Sequence, residues 1–350
     1  MKDLFYLLIL SLLLFWKLKN PFFISISILL FGFLLIEYYF YNVPENTKTI
    51  SGQSYIELDE VLGWRSKKSF TTSLTETINH QITYKNINFH FDNKGRRYSK
   101  TQERNPLNKH AIFLGGSFTF GDGIDFNDTF PVHLNNFSKN QYEIYNYALS
   151  GYGPTQNLLL LKDQELYSDI INHNGICIYT MKAHHINRAT GVPRYLRENP
   201  KIPIARINVN DELKFLRFYD LPKMQIYHYK LYDLFRNSSY ALNFILQKKD
   251  FLMINWKEAI DISVRIFNEM CQQYKSHFNG SFFLFIRESE SMPEKWKSYF
   301  ISKLTEIDIN YMFEPKTIPL QNKGIHSLNR HPNSAYNKWS AQLLVDQFNL

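Results

Sequence analysis

A serine inside a glycine-rich turn is the first residue of this chain that could carry out chemistry. Ser117 lies in the stretch AIFLGGSFTFGDG (residues 111–123), where a short apolar run ends in Gly115 and Gly116. Such a run predicts a buried strand, and the N–H groups at the start of a following helix could hold an oxyanion beside a nucleophilic serine. The alternative is an ordinary helix N-cap, a position where serine is common.

Two later stretches carry groups that a nucleophilic serine would need. In NYALSGYGPTQ (146–156) a second apolar run ends in a glycine turn, so the N–H of Gly151 could face the same crevice. In NRHPNSAYNKW (329–339) His331 stands directly before Pro332, and proline is favoured at the first position of a helix. We therefore expect His331 on the loop before the last helix, where its imidazole could act as general base for Ser117. Taken singly, each stretch also fits an ordinary turn or an exposed loop histidine.

The elements that must position these groups are short apolar strands that alternate with helices. Strand patterns occur at 110–115, 142–149, 175–181, 281–288 and 309–314, and helical patterns occupy most of 154–167, 210–275 and 333–350. This alternation predicts a mostly parallel sheet with helices on both faces. Ligands of such sheets bind outside the carboxyl ends of the strands, where we expect Ser117 and Gly151.

Two apolar runs near the N-terminus predict a membrane anchor. Leu4–Trp16 is almost entirely apolar, and Phe22–Ile36 continues into an aromatic stretch. We interpret residues 1–42 as a transmembrane helical hairpin; alternatively, the shorter first run is an interfacial or core helix. Lys17 and Lys19 lie in the turn between the runs, and positive charges favour the cytoplasmic side. The C-terminal domain is then expected to face the periplasm or the cell exterior.

The rest of the chain divides into three predicted parts. Residues 43–54 are polar and aperiodic, as in a linker, and residues 55–108 contain short alternating segments typical of a β-rich lead-in. Residues 109–350 hold the α/β pattern. The net charge of +8 is spread along the chain without a basic run interleaved with aromatic residues, so no nucleic-acid partner is expected.

The metal-ligating residue types form no recognisable motif. Cys177 and Cys271 are the two cysteines, and the absence of a CxxC pair excludes a zinc site of the usual spacing. Plain buried thiols are favoured, and a disulfide between them stays open. Four histidines could gather at one sheet edge, but no HExxH pattern supports a zinc site: His184, His185, His326 and His331. We expect no metal and no cofactor.

The order and spacing of these motifs resemble the SGNH (GDSL-like) hydrolase family, in its membrane-tethered bacterial type. The resemblance runs from about Asp59 to the C-terminus and is strongest at FLGGSFTFGDGIDFNDTFPVHL, NYALSGYGPTQ and HPNSAYNKWSAQLL. It implies a flavodoxin-like three-layer α/β sandwich. It also implies Ser117 as nucleophile, His331 as base, and the N–H groups of Ser117 and Gly151 in the oxyanion hole.

Three positions depart from the family pattern. Gly116 stands where the family has the aspartate of Gly-Asp-Ser, and Asn329 lies where an aspartate usually precedes the histidine. The Asn329 amide oxygen could still orient His331, as in Cys-His-Asn sites. No asparagine follows the third strand directly, so we assign its oxyanion role to His185, with His184 as the alternative, because a neutral imidazole has one N–H to donate.

These patterns together favour a membrane-anchored serine esterase. Its partners would be the membrane and an acylated carbohydrate or other ester, with acetyl esters of envelope or exported polysaccharide as the expected class and acetyl transfer as a variant. The alternative is a catalytically impaired protein of the same fold that binds carbohydrate or assists assembly. The two altered aspartate positions favour that alternative, whereas the intact Ser117 and His331 favour the enzyme.

Overall fold

The computed structural model describes residues 2–41, 47–99, 108–191, 201–208, 210–239, 242, 255–287, 292–315 and 331–350. Asn329 and His326 lie outside these described residues. The chain forms two compact units, one from Met1–Asn46 with Pro222–Met253 and the other from Thr47–Leu221 with Ile254–Leu350.

The described helices are α1 Lys2–Leu18, α2 Pro21–Tyr41, α3 Ser117–Phe120, α4 Phe130–Phe137, α5 Pro154–Lys162, α6 Ala183–Thr190, α7 Lys223–Ser238, α8 Trp256–His277, α9 Glu294–Thr305 and α10 Ser334–Phe348. The described strands are β1 Lys48–Ser51, β2 Ile56–Asp59, β3 Gly63–Ser66, β4 Thr71–Ile78, β5 Gln81–Phe91, β6 Arg97–Tyr98, β7 Lys109–Gly115, β8 Tyr142–Asn146, β9 Asn174–Lys182, β10 Ile204–Ile207, β11 Leu213–Leu216, β12 Asn279–Arg287 and β13 Asn310–Phe313.

The first unit contains the two apolar runs, which form the predicted helices α1 and α2. Helix α2 is long and apolar enough to cross a membrane, with a mean hydropathy of 2.0, whereas the apolar part of α1 is shorter. Ser11 and Ser27 hydrogen-bond between the two helices at 2.7 Å. The segment after residue 222 was expected within the α/β domain; here Ser239 donates a hydrogen bond to the buried Glu37 of α2.

The second unit is built on a sheet with the strand order β1-β4-β5-β6-β8-β7-β9-β12-β13. Strands β8, β7, β9, β12 and β13 are mutually parallel. Numbered along the chain, these five have the order 2-1-3-4-5 of a doubly wound, flavodoxin-like sheet. The predicted α/β fold with a mostly parallel sheet is confirmed.

Helices cover both faces of the parallel strands. Side chains alternate between the faces of a strand, so Ile112 and Leu114 of β7 pack with α5, α6, α8 and α9, whereas Ala111 and Phe113 pack with α4 and α10. The result is a three-layer sandwich. Both cysteines are free and buried within it.

Strands β1, β4, β5 and β6 extend this sheet, each antiparallel to its neighbours, whereas β2 and β3 form a separate two-stranded sheet. Strand β6 joins β1, β4 and β5 to β8 through the pairing of Arg97 with Asn146. Strand β1 lies in the range predicted as a linker and pairs with β4. Its four residues are all exposed, so it carries no apolar alternation from which sequence could have revealed it. A separate small core holds Tyr55, Phe89 and Phe91 against Phe120 of α3.

Candidate active site

Ser117 lies at the carboxyl end of β7, as predicted, and is the first residue of α3. The N-cap of this short helix is Gly116, so the Ser117 side chain is not a cap. Gly115 has φ +146°, and a Cβ there would lie 2.6 Å from Thr119 Oγ1, so the sharp turn requires glycine. Ser117 is half-buried, and within the described part of the chain its Oγ makes no hydrogen bond.

The second glycine turn lies beside the first. The N–H of Tyr147 donates to the carbonyl of Phe113 at 2.9 Å, which brings the end of β8 to the end of β7. Gly151 has φ +86°, and its Cα faces the Trp64 ring so closely that a Cβ would lie 2.8 Å from that ring. Trp64 Nε1 donates to the carbonyl of Ser150 at 3.2 Å. The lead-in therefore braces the turn that carries Gly151.

His331 reaches the same edge of the sheet, with a carboxylate beside it. Its Nε2 lies 3.7 Å from Asp122 Oδ2, and its ring packs edge-on against Phe118 at 5.7 Å between centroids. A distance of 3.7 Å is too long for a hydrogen bond, but the carboxylate would stabilise an imidazolium. Asp122 also accepts a hydrogen bond from Ser150 Oγ at 2.6 Å, and its N–H donates to the Ser117 carbonyl at 3.1 Å.

Asp122 thus links the three predicted motifs, and sequence reasoning missed it. The residue stands in the GDG that ends the first motif, only five positions after Ser117. Its position depends on Gly121, which is left-handed with φ +87° and folds the chain back. The GDG was the available signal, but sequence spacing alone does not show where such a turn directs a side chain.

A buried arginine holds this turn in place. Arg97 is 1% exposed and donates to the carbonyls of Phe120, Gly121 and Ile124. Its guanidinium lies 4.4 Å from the centroid of the Phe89 ring. Burial lowers the pKa of Arg97 to about 10, although Asp122 acts in the opposite direction. Arg97 therefore remains a cation at neutral pH.

His185 occupies the space beside Gly116. A Cβ on Gly116 would lie 3.0 Å from His185 Nε2, so an aspartate at 116 would collide with the imidazole. The Nδ1 of His185 hydrogen-bonds Tyr179 Oη at 3.0 Å. Burial lowers the pKa of His185 well below its usual value, and His184 adds to the shift, so the ring is neutral at physiological pH. Gly116 and His185 are therefore sterically linked.

The helix after His331 is fixed by a buried polar network. It begins at Ser334, two residues later than Pro332 suggested, because Asn333 caps it by accepting from the Tyr336 N–H at 3.0 Å. Glu314 accepts hydrogen bonds from Tyr336 Oη at 2.6 Å and Ser340 Oγ at 2.7 Å. Arg287 Nε lies 3.5 Å from the Glu314 carboxylate, and Arg287 also donates to Ser340.

Two further predicted site residues are Asn329 and His184, of which only His184 lies among the described residues. Asn329 lies outside the described residues, so its relation to His331 stays a prediction. His184 is exposed, with its ring 4.9 Å from that of His185. Among the described residues, no three His, Cys, Asp or Glu side chains form a group that could hold a metal ion.

No protein-family model and no curated protein matches the chain. Similar solved structures include an acetyl xylan esterase, Est2A, from Butyrivibrio proteoclasticus, with TM-score 0.41, 10% identity, and coverage of 88% of this chain and 84% of that one. A lipase, Lip_vut3, from a goat rumen metagenome has TM-score 0.39 and 13% identity over 68% of this chain and 96% of its own. A G-D-S-L family lipolytic protein from Veillonella parvula has TM-score 0.39 and 8% identity over 69% and 98%.

These neighbours are consistently GDSL lipolytic proteins and esterases, the class that the sequence motifs resemble. Because their TM-scores are below 0.5, these likenesses do not establish the function of this chain, which rests on its own strand order and site geometry.

Proposed function

We propose that the chain is a membrane-anchored serine ester hydrolase or acyltransferase. The observation that carries this proposal is the meeting of Ser117, Asp122 and His331 with the Gly151 turn at the carboxyl edge of β7 and β8. This edge is where doubly wound sheets bind ligands. The Ser117 hydroxyl is not used as a helix cap and remains available for attack.

The proposed reaction follows acyl-enzyme chemistry. Ser117 Oγ attacks the acyl carbonyl while His331 takes its proton, and Asp122 stabilises the resulting imidazolium. The N–H groups of Ser117 and Gly151, with the imidazole of His185, would hold the oxyanion. His331 then gives its proton to the departing alcohol. Water, or a second sugar hydroxyl in a transferase, completes the cycle by attacking the acyl-enzyme, and Asn329 would help to orient His331.

The proposed substrates are O-acetyl or other acyl esters of envelope or exported polysaccharide. Helices α1 and α2 would anchor the chain in the membrane, with the residues after the hairpin in the periplasm or at the cell exterior. The length and composition of α2 support the anchor, and Lys17 and Lys19 between the helices support the orientation.

One observation favours the non-catalytic alternative, a carbohydrate-binding or assembly protein. Ser117 Oγ makes no hydrogen bond to His331 in the described structure. Catalytic hydrogen bonds are often long in ligand-free enzymes and shorten when substrate binds, so the enzyme remains our proposal.

Hydrolysis of p-nitrophenyl acetate by the full chain in detergent tests the proposal. We expect Ser117→Ala and His331→Ala each to lower kcat/KM by at least about 100-fold. Ser298→Ala, which alters an exposed serine of α9, should leave the rate unchanged. A serine-reactive phosphonate should label the wild type but not Ser117→Ala. A wild-type rate equal to that of both site variants, without labelling, would reject the enzyme.

A further inference from the structure

A cavity of about 310 Å³ adjoins the candidate site. Asp122, Ser150 and His331 form part of its wall, and the lead-in supplies most of the rest, including Tyr55 and Tyr84. A volume of this size lies at the lower end of the range for small-ligand pockets, about 300–1,000 Å³. The cavity can therefore accept a small group beside His331.

The polar groups of the cavity are oriented by contacts with one another and with Thr83. Glu76 is 2% exposed, and its carboxylate accepts from Thr83 Oγ1 at 2.8 Å and pairs with Lys48. Asp122 is held by Ser150 Oγ. These carboxylates can accept hydrogen bonds from hydroxyl groups without having to reorganise.

Aromatic rings supply the apolar part of the wall. Tyr55 is buried and stacks on Phe89 at 5.3 Å between centroids, which fixes its ring, while Tyr84 is half-buried at the cavity. Burial raises the pKa of both phenols, and the nearby Asp122 raises it further, so both hydroxyls stay protonated; that of Tyr55 is hydrogen-bonded with Ser150, and that of Tyr84 can donate to a ligand. Rings with hydroxyl donors, next to carboxylate acceptors, suit a polyhydroxylated ligand.

The charges around the cavity are nearly balanced. Lys48 neutralises Glu76, and the cationic Arg97 lies close enough to Asp122 to interact with it electrostatically. Among the described residues of the wall, Lys48 is the one lysine or arginine, and it is engaged with Glu76. The balance favours a neutral ligand over an anionic one.

The position of His331 decides which part of an ester would lie here. In acyl transfer the ester C–O bond breaks, and the proton taken from Ser117 passes through the imidazole to the oxygen of the departing alcohol. That alcohol must therefore lie beside His331. We propose that this cavity is the alcohol subsite and takes a neutral sugar residue, so that the lead-in strands set the enzyme's choice of alcohol. This inference rests on the esterase function proposed above.

The test compares two acetyl esters that differ in the alcohol: p-nitrophenyl acetate and a mono-O-acetylated methyl glucoside. For Tyr84→Ala we expect kcat/KM to fall about tenfold more for the sugar ester than for the nitrophenyl ester, because the lost contacts serve the sugar. Tyr84→Phe, which keeps the ring, should lie between wild type and Tyr84→Ala. Tyr219→Ala, at an exposed tyrosine outside the cavity, should change neither rate. Equal falls for both esters, or a wild type that cleaves only the nitrophenyl ester, would overturn the subsite.

A binding measurement separates this inference from the esterase proposal. Saturation-transfer NMR with methyl glucoside and Ser117→Ala protein should show contact that Tyr84→Ala abolishes, with thermal melts to confirm that both variants are folded. Sugar binding without ester cleavage in the wild type would reject the esterase and retain the sugar site. Ester cleavage by the wild type, with sugar contact that survives Tyr84→Ala, would retain the esterase and reject the sugar site.

Discussion

Two polar clusters lie at the same edge of the sheet and differ in how deeply their charged groups are buried. Around Arg287 and Glu314, both side chains are at most 2% exposed, and the hydrogen bonds extend into α10. Around Asp122 and His331, each side chain is 21% exposed and the two are 3.7 Å apart. The first cluster fixes the helix that follows His331, whereas the second is partly open to solvent. The difference separates a cluster that holds the structure together from one that can act on a ligand.

The largest expected effect on stability is the loss of the buried arginine. Arg287→Ala leaves Glu314 as a buried carboxylate without its cation, which costs about 3–5 kcal/mol in the free energy of unfolding. Urea unfolding followed by circular dichroism measures the change. A loss below about 1 kcal/mol would mean that this cluster contributes no more to the free energy of unfolding than the candidate active site does.

Asp122→Asn should show the opposite pattern. We expect kcat/KM for p-nitrophenyl acetate to fall by about 100-fold, because the imidazolium of His331 loses its carboxylate. The unfolding free energy should change by less than about 1 kcal/mol, since the side chain is partly solvated. Asp346→Asn, at the exposed end of α10, is the matched control. Unaltered activity would remove Asp122 from the mechanism.

Gly116→Ala tests whether His185 occupies the place of a side chain at position 116. The added Cβ lies 3.0 Å from His185 Nε2, and such overpacking should destabilise the fold by about 1–3 kcal/mol. In a double-mutant cycle, His185→Ala should relieve much of that loss, which a pair of independent sites would not show. Additive losses would contradict the steric link between the two residues.

The smallest expected effect belongs to an exposed ion pair. Arg265 Nη1 lies 2.6 Å from Asp211 Oδ2, and the two side chains are 39% and 72% exposed. Arg265→Ala should lower the unfolding free energy by less than about 1 kcal/mol. A larger loss in the same urea experiment would show that burial does not explain the cost at Arg287.

The sequence predicts the sheet and its reactive edge because both depend on local patterns. Apolar runs that end in glycine predict Ser117 and Gly151 just after two strands. Ser117 follows β7 closely, whereas β8 ends at Asn146, earlier than the predicted 142–149, and a short turn leads from it to Gly151. Asp122 was not predicted, since its direction comes from the left-handed Gly121 and from Arg97, which is brought in by a different strand. Strand β1 was missed because an exposed polar strand has no periodic apolar signal.

Strand β8 shows what the lead-in does beyond the site. All five of its residues are buried, and β6 pairs with it at Asn146. Without residues 47–99 this pairing would be lost, and β8 would become the outer strand of the sheet, a position that promotes aggregation. The present outer strand, β1, is short, polar and exposed, which discourages such pairing. A truncated protein intended for crystallisation should therefore begin before Lys48. A later start would remove β1 and leave a less protected strand at the edge of the sheet, which favours self-association.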